Sequence, residues 1–126
     1  MKIIIQKRKV AGIEYKQREI VLVPFPYSDL SSSKRRPALI ISNDEYNRNF
    51  NDVIVCVITS NLFKDEYSIN LNSANLEYGI LPEESVVKVH KLFTIDKSKI
   101  IKKFSIVNET YYDRIIPLVN KIIKRN

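Results

Sequence analysis

Arg36 and Thr59 are the pair of side chains in this sequence best suited to phosphate chemistry. Arg36 begins the apolar segment 36–42, and Thr59 ends the apolar segment 52–59. A guanidinium stays charged at any working pH and binds phosphate oxygens through two directed bonds, and a threonine hydroxyl can donate to the same group. Together they could hold a phosphodiester and stabilise charge that builds up on it. The alternative interpretation is structural: Arg36 is a surface charge at the start of a strand, and Thr59 is a residue with ordinary β-sheet propensity.

The hairpin that the two segments form decides whether this pair meets. Residues 43–51 include four asparagines and are predicted to form a turn, so the flanking strands pair antiparallel. With the turn centred between Asn47 and Arg48, opposed residue numbers add up to 95, and Arg36 stands opposite Thr59 on the same face. A slip of one residue would separate them. The open end of the hairpin also gathers Lys34, Arg35, Ser60 and Asn61.

The other elements predict a mainly β domain with a C-terminal helix. Short apolar segments predict strands at 19–25, 36–42, 52–59, 67–71 and 85–90. The second and third are apolar at odd and even positions alike, which is typical of central strands covered on both faces. The order contains no alternating strand–helix–strand units, which favours a small, strongly bent antiparallel barrel.

The two ends of the chain differ from this strand-rich middle. Residues 1–17 are predicted to form a basic N-terminal arm, and Asp96 is predicted to cap one helical turn at 96–100. Spacings of three and four predict an amphipathic helix over 108–125, which Pro117 should kink or divide. The whole chain, 1–126, is predicted to be a single domain.

Charge and composition narrow the classes of function. The formal net charge is +7, with +6 over residues 1–42, −6 over 43–87 and +7 over 88–126, which favours an anionic partner. The single cysteine excludes a disulfide framework and a thiolate zinc site, and Cys56 is predicted to be a buried small hydrophobe. The single histidine excludes a two-histidine acid–base pair. Neither a signal peptide nor a membrane span is predicted, so we expect a cytoplasmic protein.

Several residues compete for proton transfer and base stacking. Histidine titrates near neutrality, so His90 is a candidate for proton transfer, although its apolar strand favours a packing role. Asp29 and Glu19 are alternatives. Asp29 is explained more simply as a turn residue, and Glu19 as a charge at the edge of a strand. Among the aromatic residues, Tyr27 in a proline-rich loop is the best candidate to stack on a base.

Four segments in order make the sequence similar to a known family. Residues 19–25, 36–42, 57–60 and 91–97 resemble the MazF/PemK family of toxin endoribonucleases. The resemblance implies an SH3-like barrel with a C-terminal helix, a homodimer, and cofactor-free, metal-independent cleavage of single-stranded RNA. It implies that the 2′-hydroxyl attacks and leaves a cyclic phosphate and a 5′-hydroxyl. It also implies an antitoxin that blocks the RNA groove and binds operator DNA only together with the toxin.

The resemblance assigns roles to particular residues. Arg36 and Thr59 take the catalytic positions, and Lys91 takes a basic position. Two features depart from the family: Arg18 replaces a glycine, and the loop before Arg36 lacks glycine, so that one of its serines would supply the loop hydroxyl. The RNA-binding set expected on these grounds comprises Tyr27, Ser31, Ser32, Ser33, Lys34, Arg35, Ser60, Asn61 and Lys91. The alternative function is a non-catalytic barrel that binds nucleic acid and acts with a partner in autoregulation.

Overall fold

A computed structural model of the protein describes residues 12–24 and 34–126. Within these ranges six strands, three helices and two single 3₁₀ turns follow one another. The strands are β1 (Glu19–Pro24), β2 (Arg35–Ile40), β3 (Asp52–Thr59), β4 (Ser68–Leu71), β5 (Ser85–Asp96) and β6 (Lys102–Ile106). The helices are α1 (Asp44–Asn49), α2 (Glu109–Tyr112) and α3 (Ile115–Ile123), and the 3₁₀ turns are Ser73–Asn75 and Lys97–Lys99.

All six strands form one antiparallel sheet that curls on itself. Its order is β4-β5-β3-β2-β1-β6. The two ends of this sheet approach each other, because Leu76, which follows β4, bridges to Val107, and the Glu77 amide donates to the Ile106 carbonyl at 2.9 Å. The prediction of a small, mainly β antiparallel barrel with a C-terminal helix is confirmed.

The central strands are covered on both faces, as their sequences predicted. Leu39 and Cys56 pack in the concave core with α2 and α3, whereas Ala38, Ile40 and Val55 pack in a second core on the opposite face. This alternation follows from the two-residue period of a strand. Burial raises the pKa of the Cys56 thiol to about 12, which agrees with its predicted role as a buried hydrophobe.

The segment between β2 and β3 is a short helix rather than the predicted turn. Asn43 caps α1 by accepting from the Tyr46 amide at 2.8 Å, and Asp44 and Glu45 occupy the first turn, where negative charge is favourable. The asparagines therefore mark a helix cap as well as a change of direction. The helix still returns the chain with the predicted register.

The C-terminal segment contains two helices rather than one. Asn108 caps α2 as predicted, but the chain divides at Asp113 and Arg114 instead of at Pro117. Pro117 lies in the first turn of α3, where its missing N–H needs no intrahelical partner. No helix within residues 12–24 and 34–126 combines the length and apolar character needed to cross a bilayer.

Arg18 has a left-handed backbone, with φ of 78°. This conformation favours glycine, so a side chain at this position is strained. The side chain compensates at the closure of the barrel, because its Nη1 donates to the Val107 carbonyl at 2.7 Å and pairs with Glu77 at 3.1 Å. Nearby Tyr15 is buried in the second core, so the end of the predicted 1–17 arm packs on the barrel, whereas residues 1–11 lie outside the described residues.

Candidate active site

The predicted register of the β2–β3 hairpin is confirmed. Ala38 pairs with Val57, Leu39 with Cys56 and Ile40 with Val55, and each pair of numbers adds up to 95. The recorded β2–β3 pairs end at Ala38 and Val57, and Arg36 and Thr59 lie two residues beyond that last pair, where the same register leads. Arg36 pairs with Val23 of β1, and Thr59 pairs with Val86 of β5.

The open end of this hairpin borders a cavity of about 460 Å³, the open-end cavity. Its apolar wall consists of Leu22, Pro37, Ile58, Leu81, Pro82 and Phe104. Its polar rim consists of Lys34, Arg35, Arg36, Ser60, Glu83 and Ser85. Four of the predicted site residues therefore share one concave surface in which positive charge predominates.

Local hydrogen bonds fix the end of β3, where Ser60 lines the open-end cavity but Thr59 and Asn61 do not. The Thr59 Oγ1 accepts from the Asn61 amide at 3.1 Å, and the Asn61 Oδ1 accepts from the Phe63 amide at 3.1 Å. Both are local side-chain-to-backbone turns of the kind that polar residues form at strand ends. Because the Thr59 oxygen accepts in this turn, its hydroxyl hydrogen stays available to donate to a ligand.

Sequence reasoning missed part of the cavity wall. Phe104 lies in β6, a strand that was not predicted because the segment 102–106 is short and carries two lysines. Glu83 was missed because an acidic residue in the acidic middle of the chain gives no signal of its own. The Leu81–Pro82 pair before it was the available signal, since proline marks a rigid turn at a strand start.

His90 and Lys91 lie in a bulge of β5, away from the open-end cavity. Cys56 pairs with Leu92 but the next residue, Val57, pairs with Lys88, so three residues of β5 fall between consecutive β3 partners. Such bulges bend a strand and redirect its side chains. His90 and Lys91 line a second cavity of about 310 Å³. Val57, which precedes Thr59 by two residues in the sequence, also lines it.

Residues of the β5 bulge and the loop 60–67 form a dense polar cluster, the Asp65 cluster. Lys88 Nζ donates to the Phe63 carbonyl at 2.7 Å, to Ser68 Oγ at 3.1 Å and to Asp65 Oδ2 at 3.4 Å. His90 Nε2 lies 3.8 Å from the same carboxylate. The Ser68 hydroxyl and the Tyr67 amide donate to Asp65 and, with Lys88 and His90, hold the pKa of its carboxyl below the ordinary value.

The remaining candidates divide into those the structure describes and those it does not. Glu19 is buried, accepts from the Lys16 amide and pairs with Lys103 at 3.1 Å, which is a structural environment. No cluster of three or more histidine, cysteine or acidic side chains able to hold a metal ion occurs in the described part of the chain. Other candidates lie outside the described residues: Tyr27, Asp29, Ser31, Ser32 and Ser33.

Solved structures of bacterial toxins share this fold. An endoribonuclease in complex with its cognate antitoxin from a mycobacterial species gives a TM-score of 0.72 at 15% identity, over 89% of this chain and 97% of that chain. The Mycobacterium tuberculosis toxin MazF-mt6 gives 0.70 at 16% identity, over 86% and 99%. A MazE–MazF structure from Deinococcus radiodurans gives 0.69 at 16% identity, over 91% and 100%. A comparison with curated protein sequences finds no match.

The family comparison covers most of the chain. The model of the PemK-like, MazF-like toxins of type II toxin–antitoxin systems matches residues 16–123. The matched range includes all six strands, all three helices and every residue named as lining the open-end cavity. The resemblance carried by the four sequence segments is therefore confirmed. The chain belongs to the PemK-like, MazF-like toxin family of type II toxin–antitoxin systems.

Proposed function

We propose that this toxin is a metal-independent endoribonuclease that cleaves single-stranded RNA at the open end of the β2–β3 hairpin. The observation that carries the proposal is the cavity where Arg36 is joined by Lys34 and Arg35, in a chain of this toxin family. The solved relatives support it, because two of the structures with this fold are named endoribonucleases. Three cations around one cavity suit a polyanionic substrate.

In the proposed reaction the RNA supplies its own nucleophile. The 2′-hydroxyl oxygen attacks the adjacent phosphorus, the bond to the 5′ oxygen breaks, and a 2′,3′-cyclic phosphate and a 5′-hydroxyl result. Negative charge grows on the non-bridging oxygens during this step. Arg36 is proposed to bind those oxygens, and the Thr59 hydroxyl to donate to one of them, which stabilises the transition state more than the bound substrate.

One proton must leave the 2′-hydroxyl and one must reach the departing 5′ oxygen. His90 is a candidate for one of these transfers. It lines the second cavity, which Val57 of β3 also lines, and its Nε2 lies 3.8 Å from the Asp65 carboxylate. Asp29 is the alternative. Lys91, Ser60 and Asn61 are proposed to bind neighbouring nucleotides, together with Tyr27 and one of the loop serines Ser31, Ser32 or Ser33.

The proposed partners follow from the family. A cognate antitoxin is proposed to cover the RNA groove, and operator DNA is proposed to bind only the complex of toxin and antitoxin. A homodimer is proposed in the cytoplasm. The exposed apolar side chains of α3 support an interface there, since Ile116 is 42% and Ile123 is 70% exposed.

Cleavage of defined single-stranded RNA by purified, antitoxin-free protein tests the proposal. We expect cleavage that persists in EDTA and yields cyclic phosphate ends. Arg36→Ala should lower kcat/KM about 100- to 1000-fold, the effect of removing one preorganised group that stabilises an oxyanion. Arg36→Lys should rescue little, because an ammonium cannot bind two phosphate oxygens in a fixed plane.

Circular dichroism and thermal unfolding of the Arg36 variants are the control, and they should match the wild type. Cleavage that requires a divalent metal would contradict the metal-independent mechanism. Salt-dependent RNA binding with no cleavage by any variant or by the wild type would favour the non-catalytic barrel.

A further inference from the structure

The open-end cavity has walls suited to a flat ring as well as a rim suited to phosphate. Leu22, Ile58 and Phe104 come from three different strands and form an apolar floor. Leu81 and Pro82 close one side of it. Phosphate contacts need only the rim cations, so the apolar wall is available to a different part of the substrate. In a protein that binds single-stranded RNA, that part is an unstacked base.

Glu83 is the acidic residue among the rim positions. Within the described residues its carboxylate makes no hydrogen bond or ion pair, although Lys34, Arg35 and Arg36 line the same cavity. A carboxylate at this place opposes the binding of phosphate. It adds binding energy only toward a group that donates hydrogen bonds.

The chain holds Glu83 in a defined place. Pro82 restricts the backbone immediately before it, and the Ser85 hydroxyl donates to the Glu83 carbonyl at 3.1 Å. The amide of Leu81 is anchored by Ser73 Oγ at 2.9 Å. Ser85 then enters β5 and pairs with Leu71. Anchors on both sides hold the backbone of Glu83 in place at the rim, with its exposed side chain free to meet a ligand.

We propose that the open-end cavity binds one nucleobase of the RNA and that Glu83 selects guanine there. Guanine presents two adjacent donors, N1–H and the N2 amine, which a carboxylate can accept together. Its O6 and N7 are acceptors for which arginine and lysine are the commonest partners. The Glu83 carboxylate suits the first edge and the Lys34 and Arg35 cations suit the second, which leaves Arg36 to the phosphate. Uracil offers only one donor, and adenine and cytosine only one amine. The inference rests on the proposed ribonuclease function, which it extends to substrate choice.

Inosine provides the sharpest probe, because it is guanosine without the N2 amine. RNA oligonucleotides with every guanosine replaced by inosine are compared with the parent oligonucleotides in cleavage by the full-length protein. For the wild type we expect about tenfold slower cleavage of the inosine series, the effect of losing one hydrogen bond to a charged acceptor. Equal cleavage of the two series would overturn the proposal.

Glu83→Gln removes the paired acceptor and keeps the size of the side chain. It should bring the guanosine-to-inosine ratio close to one. Glu84→Gln is the matched control, since it makes the same charge change at an adjacent exposed residue that does not line the cavity. It should keep the wild-type ratio. An unchanged ratio in Glu83→Gln would overturn the proposal, as would an equal loss in Glu84→Gln.

Binding of uncleavable RNA separates this inference from the proposed function. Fluorescence anisotropy with 2′-O-methyl guanosine and inosine oligonucleotides measures base selection without cleavage. If the wild type cleaves nothing but binds the guanosine probe about tenfold more tightly, the ribonuclease proposal fails and base selection stands. If the wild type cleaves RNA but the guanosine-to-inosine ratios of cleavage and of binding both equal one, the ribonuclease proposal stands and base selection fails.

Discussion

The open-end cavity and the Asp65 cluster both contain basic side chains, but they differ in what those side chains already bind. Within the described residues Lys34 and Arg35 make no hydrogen bond or ion pair through their charged groups, and both are exposed. Lys88 is only 12% exposed, and its three donors reach Phe63, Ser68 and Asp65. The open-end cavity leaves Lys34 and Arg35 open to a ligand, whereas the Asp65 cluster uses Lys88 inside the protein.

This difference shows what net charge alone does not reveal. Lys88 belongs to the same basic C-terminal portion as Lys91, yet it holds the loop 60–67 against β5. An ammonium whose donors are satisfied inside the fold offers little to an RNA phosphate. The +7 charge therefore divides into residues that stabilise the structure and residues that are available to attract an anion.

After Arg36→Ala, removal of the Thr59 hydroxyl should have the largest effect, and that effect should fall on activity. Thr59→Val keeps the shape and removes the donor, and we expect kcat/KM for single-stranded RNA to fall about a hundredfold. Thr59→Ser keeps the hydroxyl and the bond from the Asn61 amide, so it should retain most of the activity. Equal activity of the two variants would show that the hydroxyl has no part in cleavage.

Lys88→Met should show the opposite behaviour, a loss of stability. The substitution keeps the apolar stem and removes three hydrogen bonds, so the free energy of unfolding should fall by about 1 kcal/mol, reduced by the partial exposure of Asp65. Urea unfolding followed by circular dichroism measures it.

Lys91→Met is the matched control for Lys88→Met. Lys91 is exposed, so stability should stay within about 0.5 kcal/mol, whereas the slope of log K for RNA against log salt should fall by about 1. A larger loss of stability in Lys91→Met than in Lys88→Met would remove the distinction between the two regions.

Local pattern was enough to predict much of the fold. The predicted bounds of β3 were right because turn residues flank a run of branched apolar side chains. The register, in which paired residue numbers add up to 95, was right because the connection between β2 and β3 is nearly symmetric about its centre. The sixth strand was missed because Lys102–Ile106 has little apolar content, and β1 pairs with it across at least 80 residues of sequence. Long-range pairing leaves no local signal.

What could be predicted near the proposed site is the hairpin register, which counting residues along two strands gave correctly for Ala38, Leu39 and Ile40. The meeting of Arg36 and Thr59 beyond those pairs stays a prediction. The three-residue bulge that carries His90 and Lys91 could not be counted, because nothing in 85–96 marks where the pairing shifts. The role of Lys88 was hidden for a related reason, since its partners on the loop 60–67 meet it only after β4 has paired with β5.

The smallest expected effect concerns the pH dependence of stability in the Asp65 cluster. Hydrogen bonds from Ser68 and Tyr67, followed by the charges of Lys88 and His90, lower the pKa of Asp65 in the folded protein. The unfolded chain then binds more protons than the folded one at acidic pH. The stabilisation is complete above the ordinary carboxyl pKa of 3.8 and is lost as the pH falls through the lower folded value.

Asp65→Asn should therefore reduce the loss of stability on acidification. We expect the urea midpoint of the wild type to fall more between about pH 6 and pH 3 than that of Asp65→Asn, and the difference to be small because Asp65 is exposed. Glu66→Gln is the control, since Glu66 lies on the same loop and pairs with the exposed Lys121, at 3.3 Å. If Glu66→Gln altered the pH dependence as much as Asp65→Asn, the stabilisation would belong to the loop's overall charge. In that case the hydrogen bonds and ion pairs of the Asp65 cluster would make no specific contribution to stability.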